Sequence, residues 1–480
     1  MAQQWDVVIV GAGTTGMVAA IFASRRGARV LLLESAADIG GTLHISGGNM
    51  SAAGTKLQKG KNIADSVQEH YDDVMRICHN TADPKIVRLA VEHAAATFDW
   101  LTDSGMALDP VCPQYNNGSH EPYLVKRYAW GPEYGKSIYK TLVPMFFAAV
   151  TSGGVALKLS TRVTGLIQDP RTRAVTGVRA KTADGAAVDY HAQNIVVATG
   201  GYAASPQMVA RIHGCPLYSN GSMPESRGEG IEMIEAVGGY LRGGDYFHCN
   251  FGVVLNDYNY PSKTIGRVVT MPEVRQPWEI YVDSRGNRFL PEDEPSVDKR
   301  ERALVELPDK RYWVVFDAAI LKEAPSVMER WSREQVTAAL GSHPMFLKAN
   351  SLTELAAQAG MDAATLEASV KAYNDNLKGT DPLGRKHRPR PIGTGPFYAI
   401  RQHATIIVST AGITVDGDLR VIDRHGRPIP NLYAAGEVIG SVATMGDAAA
   451  NGMLVTPALT FGKLLGERML QWQKQRAAAE

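Results

Sequence analysis

The residues best suited to chemistry lie near the start of the chain. Gly11-Ala-Gly13-Thr-Thr15-Gly16 is a glycine-rich turn, and Glu34 closes the second apolar run after it. Each glycine has a separate job. Gly11 permits a tight turn, Gly13 lets backbone approach a pyrophosphate, and Gly16 lets a helix touch a strand. The free N–H groups at the start of that helix attract phosphate charge. A carboxylate at Glu34 can accept hydrogen bonds from a ribose. Next come Ser35, then Ile39-Gly-Gly41-Thr42 and Ser46-Gly47-Gly48-Asn-Met-Ser-Ala-Ala-Gly54. Small residues like these can lie flat against a bulky ring system while their N–H groups donate to it. A nicotinamide domain does not need such a segment, but a buried flavin does. The expected cofactor is FAD.

Three later segments share this character. Ala198-Thr199-Gly200-Gly201 ends an apolar run, and Gly436-Glu437 ends another. Gly452-Met453-Leu454-Val455-Thr-Pro457 enters a helix, with Pro457 suited to its first turn. That helix start carries partial positive charge, which stabilises negative charge near N1 and the 2-carbonyl of a reduced flavin. Val163, on a strand expected over 162–169, joins the expected cofactor contacts.

Regular elements must position these groups. The run 5–10 is apolar and β-branched, as expected for a strand buried on both faces of a parallel sheet. Helix 17–26 and strand 29–34 follow. Residues 62–109 read mainly helical, with Asp65 and Asp83-Pro84 as start signals. Residues 110–135 are irregular, 137–151 form a helix, and 154–160, 162–169 and 174–183 form strands. Asp184-Gly185 marks a hairpin turn. Between 205 and 395 the glycine-rich pattern fades into helices, loops and charge runs. Strands return at 411–416 and 431–437. The expected fold is α/β: a Rossmann-type FAD-binding domain built from 1–204 and 396–480, with an α+β capping or substrate domain, 205–395, inserted.

Composition narrows the function. The chain has 480 residues, 45% apolar and 21% charged, an ordinary globular balance. Fifty basic residues against 49 acidic ones leave a formal charge of +1, which argues against a broad nucleic-acid surface. No apolar run reaches the ~18 residues of a membrane span. Cys78, Cys112, Cys215 and Cys249 make no CxxC metal or redox pair and no haem site, so no metal is expected. Scattered thiols and the lack of a basic leader suggest a cytoplasmic protein.

Jointly these motifs resemble the fumarate reductase/succinate dehydrogenase flavoprotein superfamily. The resemblance rests on 11–16, Glu34, Gly40-Gly41, Ser46-Gly-Gly48, Ala198-Thr-Gly-Gly201, Tyr433-Ala-Ala-Gly-Glu437 and the 452–462 helix entry. In site character the chain is nearest the 3-ketosteroid and cyclohexanone dehydrogenase-like branch. The likeness implies desaturation or reduction of a C–C bond beside a carbonyl. A proton leaves one carbon and a hydride passes between the other and flavin N5. It also implies a small-molecule substrate and leaves the electron acceptor open among oxygen, a soluble acceptor and a protein.

The departures from the family pattern bear on the substrate. The GxRFxNE motif reads Gly286-Asn-Arg-Phe-Leu-Pro-Glu292, and the position of the family's Arg acid holds Ser296. The dicarboxylate-binding His reads Val408, and the C-terminal Asn-Arg pair reads Ala448-Ala449. A dicarboxylate would lack its clamp. Tyr123, Tyr128, Trp130, Tyr134 and Tyr139 instead suit a cyclic ketone. Tyr134, Tyr128 and His248 are the candidate base or relay, with Trp130 lining the pocket. Ser296 occupies the place of the steroid enzymes' tyrosine. Backbone N–H groups near 452–456 would bind the carbonyl. Two alternatives stay open: an enzyme for a carboxylate substrate anchored by Arg300 or Arg302, and an electron-transfer subunit without its own substrate. His44 lies where some relatives attach FAD covalently, but its offset favours a non-covalent cofactor.

Overall fold

The computed structural model describes residues 4–116, 120–214, 222–258 and 262–471. Cys215 lies outside the described residues. The described residues divide into two compact units, one within 4–214, 222–248 and 408–471, the other within 249–407.

The first unit is built on an eight-stranded sheet. Strand Trp5–Val10 lies at its centre, with every residue after Trp5 buried. It pairs in parallel with Val30–Leu33 on one side and Ala187–Val197 on the other, so that Val7 faces both Val30 and Asn194. Val155–Lys158 and Pro428–Ala434 extend the parallel core outward. Arg420–Ile422 closes one edge antiparallel. Val175–Lys181 leaves Ala187–Val197 antiparallel and carries Arg162–Gln168. Each buried Val, Leu or Ile contributes roughly 1.5–3 kcal/mol relative to exposure. That is why the continuous apolar runs, rather than alternating ones, become the central strands.

Helix Thr14–Arg25 follows the glycine turn, and Val455–Leu464 packs on it. Their backbones meet closely because a side chain at Gly462 or Gly466 would run into the Thr15 or Ala19 carbonyl. One π turn, Leu465–Met469, continues the second helix.

Some local expectations shift. Helix Val67–Ile77 is capped by Ser66, whose hydroxyl accepts from Glu69 N at 3.2 Å, not by Asp65. Asp65 is instead taken by Arg127, which sits fully buried between Asp65 at 2.7 Å and Asp73 at 2.6 Å. An interior guanidinium needs such carboxylates. Helix Pro84–Asp103 does begin at Asp83-Pro84. The strand expected over 411–416 shortens to Gly412–Ile413, because its partner Leu241–Arg242 offers only two residues.

The second unit carries a six-stranded antiparallel sheet around the long strand Phe397–Ile406. That strand pairs with Arg311–Asp317, Phe346–Ala349 and Cys249–Leu255. The ladder explains why the observed division differs from 205–395. Residues 397–406 belong where their backbone hydrogen bonds go, in the second unit. Leu241–Arg242 pairs with Gly412–Ile413 and so belongs to the first. No helix of the described residues is long and apolar enough to cross a membrane.

Candidate active site

The glycine turn takes its shape from contacts that leave no room for side chains. Gly11 has φ +103°, and a Cβ there would collide with the Ala198 carbonyl, so the ends of two neighbouring strands touch. A Cβ at Gly16 would strike the Gly11 carbonyl. Gly13 differs: nothing lies within 4 Å of where its Cβ would be. It is the N-cap of Thr14–Arg25, and no side chain caps that helix. Open space thus lies beside uncapped first-turn N–H groups, as a pyrophosphate requires.

Glu34 is tied into the same loop. Its Oε2 accepts from Ala12 N at 2.7 Å, and its Oε1 accepts from Ala36 N at 2.8 Å and the Ser35 hydroxyl at 3.2 Å. A carboxylate offers about four lone-pair sites, so one is left for a ribose hydroxyl. Thr161 N donates to the Glu34 carbonyl at 2.8 Å, which brings the neighbouring Val163, buried opposite Ala180, to this end of the site. The Thr15 hydroxyl donates to Ala458 O at 2.9 Å and so ties the two helices together.

The small-residue segment lies on this loop. Gly40 N donates to Ala12 O at 2.9 Å, and a Cβ on Gly41 would be 3.4 Å from Gly13 Cα. Ser46 N reaches Thr42 O at 2.8 Å, and the Ser46 hydroxyl accepts from Gly48 N at 3.2 Å. Gly47 is exposed and turns beside Asn49. Ser46 O accepts from Gly135 N at 3.0 Å, and a Cβ at Gly48 would collide with the Tyr134 backbone. This seat holds Tyr134 at φ +57°, a conformation that bulky residues avoid, with its side chain 61% exposed.

The other cofactor segments converge in the same unit. Thr199 Oγ1 is buried with no hydrogen-bond partner among the described residues. Gly200 turns at φ +74°, and a Cβ at Gly201 would collide with Ser409 Oγ. Ser409 Oγ accepts from Tyr202 N at 2.7 Å, while Ser409 N donates to Glu437 Oε1 at 2.9 Å. Burial pushes the Glu437 carboxyl up, and the Ser409 hydrogen bonds offset part of that. Gly436 packs on the Thr15 hydroxyl. Helix Val455–Leu464 starts at Leu454 without a side-chain cap. Its entry is fixed by Thr444 Oγ1 donating to Met453 O at 2.6 Å and by Thr456 Oγ1 accepting from Ser51 N at 2.9 Å. Asn451 Nδ2, just before it, is buried and unpartnered among the described residues. The cradle at Gly13, the carboxylate at Glu34 and two uncapped helix starts are the donor and acceptor set a flavin dinucleotide needs.

The candidate catalytic residues are treated unequally. Tyr128 is buried in the two-residue strand Tyr128–Ala129 opposite Ser51, and burial pushes its phenol up. Trp130 packs on it with ring centres 5.1 Å apart. Tyr123 is also buried, its hydroxyl donating to Asn451 O and lying 3.3 Å from Ser51 Oγ, which can donate to it. Tyr139 packs against His44 at 4.6 Å. His44 Nε2 lies 2.8 Å from Ile39 O, a backbone contact that occupies the nitrogen. His248 is half-buried, and its N–H donates to Thr410 Oγ1 at 3.2 Å.

In the second unit, Ser296 is a helix cap. Its hydroxyl accepts from Lys299 N at 3.3 Å at the start of Val297–Glu306. Arg300 is buried, donating to the Ser296 and Thr270 carbonyls with its guanidinium 5.6 Å over Phe251. It acts as a strut between helix and loop. Arg302 Nη1 is buried without a partner among the described residues. The GxRF motif is likewise structural: Arg288 bonds Glu292 at 2.6 Å and Asp381 at 2.7 Å, and Arg385 completes the cluster.

Sequence reasoning missed Ser409 and the pairing of Asp83 with Arg242. Their partners lie 207 and 159 residues away along the chain, and no motif surrounds Ser409 or Arg242.

Comparison with known proteins agrees with this geometry. The family described as FAD binding domain matches residues 6–453. The chain therefore belongs to that family; it is a FAD-dependent oxidoreductase of the fumarate reductase/succinate dehydrogenase flavoprotein type. A fumarate reductase (cytochrome) of Shewanella frigidimarina is 29% identical over 98% of this chain and 78% of its own length. A 4-oxocyclohexanecarboxylate 2-dehydrogenase of Sinomonas cyclohexanicum is 25% identical over 96% of this chain and 92% of its own. The 3-ketosteroid delta1-dehydrogenase structure from Sterolibacterium denitrificans shares the fold, with a TM-score of 0.73 at 22% identity over 97% of this chain and 99% of that one.

Proposed function

We propose that this protein desaturates, or in reverse reduces, the C–C bond beside the carbonyl of a cyclic ketone. FAD, when bound, supplies the hydride acceptor or donor. The chain's residues do the rest. The first-turn N–H groups after Gly13 would hold the pyrophosphate, Glu34 the ribose, and the N–H groups of Leu454 and Val455 the polar edge of the flavin ring, while Met453 N is already bonded to Ala450 O at 3.1 Å. The same helix start would polarise the substrate carbonyl, which acidifies the neighbouring C–H.

The observation that carries this reading is Tyr134. It is the exposed tyrosine of the aromatic segment, and it is held in a backbone conformation that costs on the order of 1–3 kcal/mol. Strain retained at one bulky residue supports a functional role for it. Tyr134, as the phenolate, would take the proton from the α-carbon and become the phenol. Burial keeps the Tyr128 phenol protonated, so Tyr128, with Trp130 packed on it, would line the pocket rather than act as the base. The Sinomonas relative, named for a cyclic keto acid, favours the same substrate class. A cytoplasmic setting suits the buried free thiols of Cys78, Cys112 and Cys249. The electron acceptor is left open.

An anaerobic titration of the yellow holoenzyme tests the reading. Cyclohexanone or a 3-ketosteroid should bleach the flavin, and succinate should not. Bleaching by succinate, or reoxidation of reduced enzyme by fumarate, would favour the second reading, which the Shewanella relative supports: a reductase or dehydrogenase of a carboxylate.

A further inference from the structure

Arg242 ends the strand Leu241–Arg242, paired with Gly412–Ile413. Its Nη1 donates to the Asp83 carboxylate. Its Nε and Nη2 are both buried, and neither has a hydrogen-bond partner among the described residues. Those two atoms form one edge of the guanidinium, the edge that presents two parallel N–H groups to a planar oxyanion. Buried polar groups are nearly always satisfied, so two orphaned donors on a single edge call for an acceptor from outside the chain.

The fork is held in place before any ligand arrives. Asp83 caps helix Pro84–Asp103, accepting from Lys85 N at 2.9 Å and Ile86 N at 3.2 Å. Its own N–H donates to Ala443 O at 3.3 Å. Burial alone would raise the Asp83 carboxyl, but the Arg242 hydrogen bond and charge, together with the Ile86 and Lys85 N–H groups, bring it below its ordinary value. Arg242 is thus oriented by a partner that is itself anchored, which lowers the cost of binding.

Its neighbours link it to the cofactor segments. A Cβ at Gly243 would be 2.6 Å from a Val442 methyl carbon. Ser441 N and Val442 N bond the carbonyls of Ser409 at 2.9 Å and Thr410 at 3.0 Å. Thr444 fixes Met453. The residue after the fork, Gly243, therefore packs against Val442, in the stretch between Glu437 and the uncapped start of Val455–Leu464. Other buried arginines differ: Arg127, Arg275, Arg288 and Arg385 each meet a carboxylate within the chain, and Arg300 serves backbone carbonyls.

We propose that the Nε–Nη2 edge of Arg242 binds a carboxylate on the substrate, so that the substrate is a cyclic keto acid rather than an unsubstituted ketone. This rests on the ketone reading and narrows it. Because Asp83 already balances the charge, selection works by donor geometry. A carboxylate places two acceptors against two donors, whereas a primary amide opposes one of them with its own N–H groups.

The test is titration calorimetry on the holoenzyme with cyclohexanecarboxylate and cyclohexanecarboxamide, neither of which needs turnover. Wild type should bind the acid at least tenfold tighter than the amide. Arg242→Lys, which keeps the charge but not the parallel N–H pair, should lose that preference with amide binding unchanged. Asp83→Asn, which keeps the helix cap through Oδ1 but turns an NH₂ donor against Arg242 Nη1, should weaken acid binding with amide binding unchanged, and it serves as the deciding variant if Arg242→Lys fails to retain FAD. Equal acid and amide affinity in wild type, no acid binding, an acid preference surviving in Arg242→Lys, or unchanged acid binding in Asp83→Asn would each overturn the proposal. Cyclohexanone bleaching the flavin alongside any of these would overturn the fork alone. Acid binding as expected with no bleaching by a cyclic keto acid such as 4-oxocyclohexanecarboxylate would instead overturn the ketone reading.

Discussion

The backbone N–H of Ala12, inside the glycine turn, donates to the Glu34 carboxylate across 2.7 Å. The end of the second strand therefore sets the shape of the loop after the first. Glu34→Gln keeps the volume but replaces one acceptor oxygen with an NH₂ donor. FAD affinity of the apoprotein should fall by roughly tenfold, the scale of one charge-assisted hydrogen bond. Flavin fluorescence quenching on reconstitution measures this, and unchanged affinity would remove Glu34 from the cofactor site.

Ser296 separates a structural role from a catalytic one. As a cap accepting from Lys299 N, its replacement by alanine should cost about 1 kcal/mol of stability and leave kcat unchanged. Urea unfolding and steady-state kinetics on one preparation suffice. A large drop in kcat with full stability would restore Ser296 to the reaction.

Tyr134 and Tyr128 should part company under the same substitution. Tyr134→Phe should lower kcat by about 10²-fold or more, the scale of a lost general base. Tyr128→Phe, in the core, should change the rate only a few-fold. Equal effects would mean that the exposed tyrosine has no special part.

His70 makes a prediction about acid stability. It is fully buried on Val67–Ile77, beside the Tyr123 ring edge and near Arg127, and neither ring nitrogen has a partner among the described residues. Burial first, then Arg127, hold its pKa well below the usual value. His403 is held down to about 3, chiefly by burial. The unfolded chain binds these protons first, so the contribution of both groups is full above about pH 6.5 and is lost as the pH falls below it. His70→Phe should stabilise the protein more at pH 5.5 than at pH 8, by up to roughly 1 kcal/mol. Thermal melts at the two pH values check the difference, and an equal shift at both would mean that His70 does not titrate on unfolding.

The cofactor half of the site was legible because its physics is local. A glycine that must admit a neighbouring carbonyl, as Gly11 admits that of Ala198, leaves its mark at one position. The strands around it read correctly because parallel burial leaves unbroken apolar runs. The substrate half was less legible. Tyr123, Tyr128 and Tyr134 are the same residue type within one loop, and only the pairing of Tyr128–Ala129 with Met50–Ser51 separates buried from exposed. Likewise, nothing in the sequence shows that Arg242 meets Asp83, or that Arg300 spends its donors on the Thr270 and Ser296 carbonyls.

The hydrogen bond from the Thr15 hydroxyl to Ala458 O spans 443 positions of the chain. During synthesis, the first helix leaves the ribosome long before its packing partner exists. At the usual pace of translation the wait is roughly 20–90 s. Through that interval Val18, Ala19 and Phe22 are without the helix that covers them, and the flavin cannot be gripped from both sides. Capture of the cofactor is therefore a late event in the life of each new molecule, and a chain broken before its last strand and helix would be a natural target for chaperones.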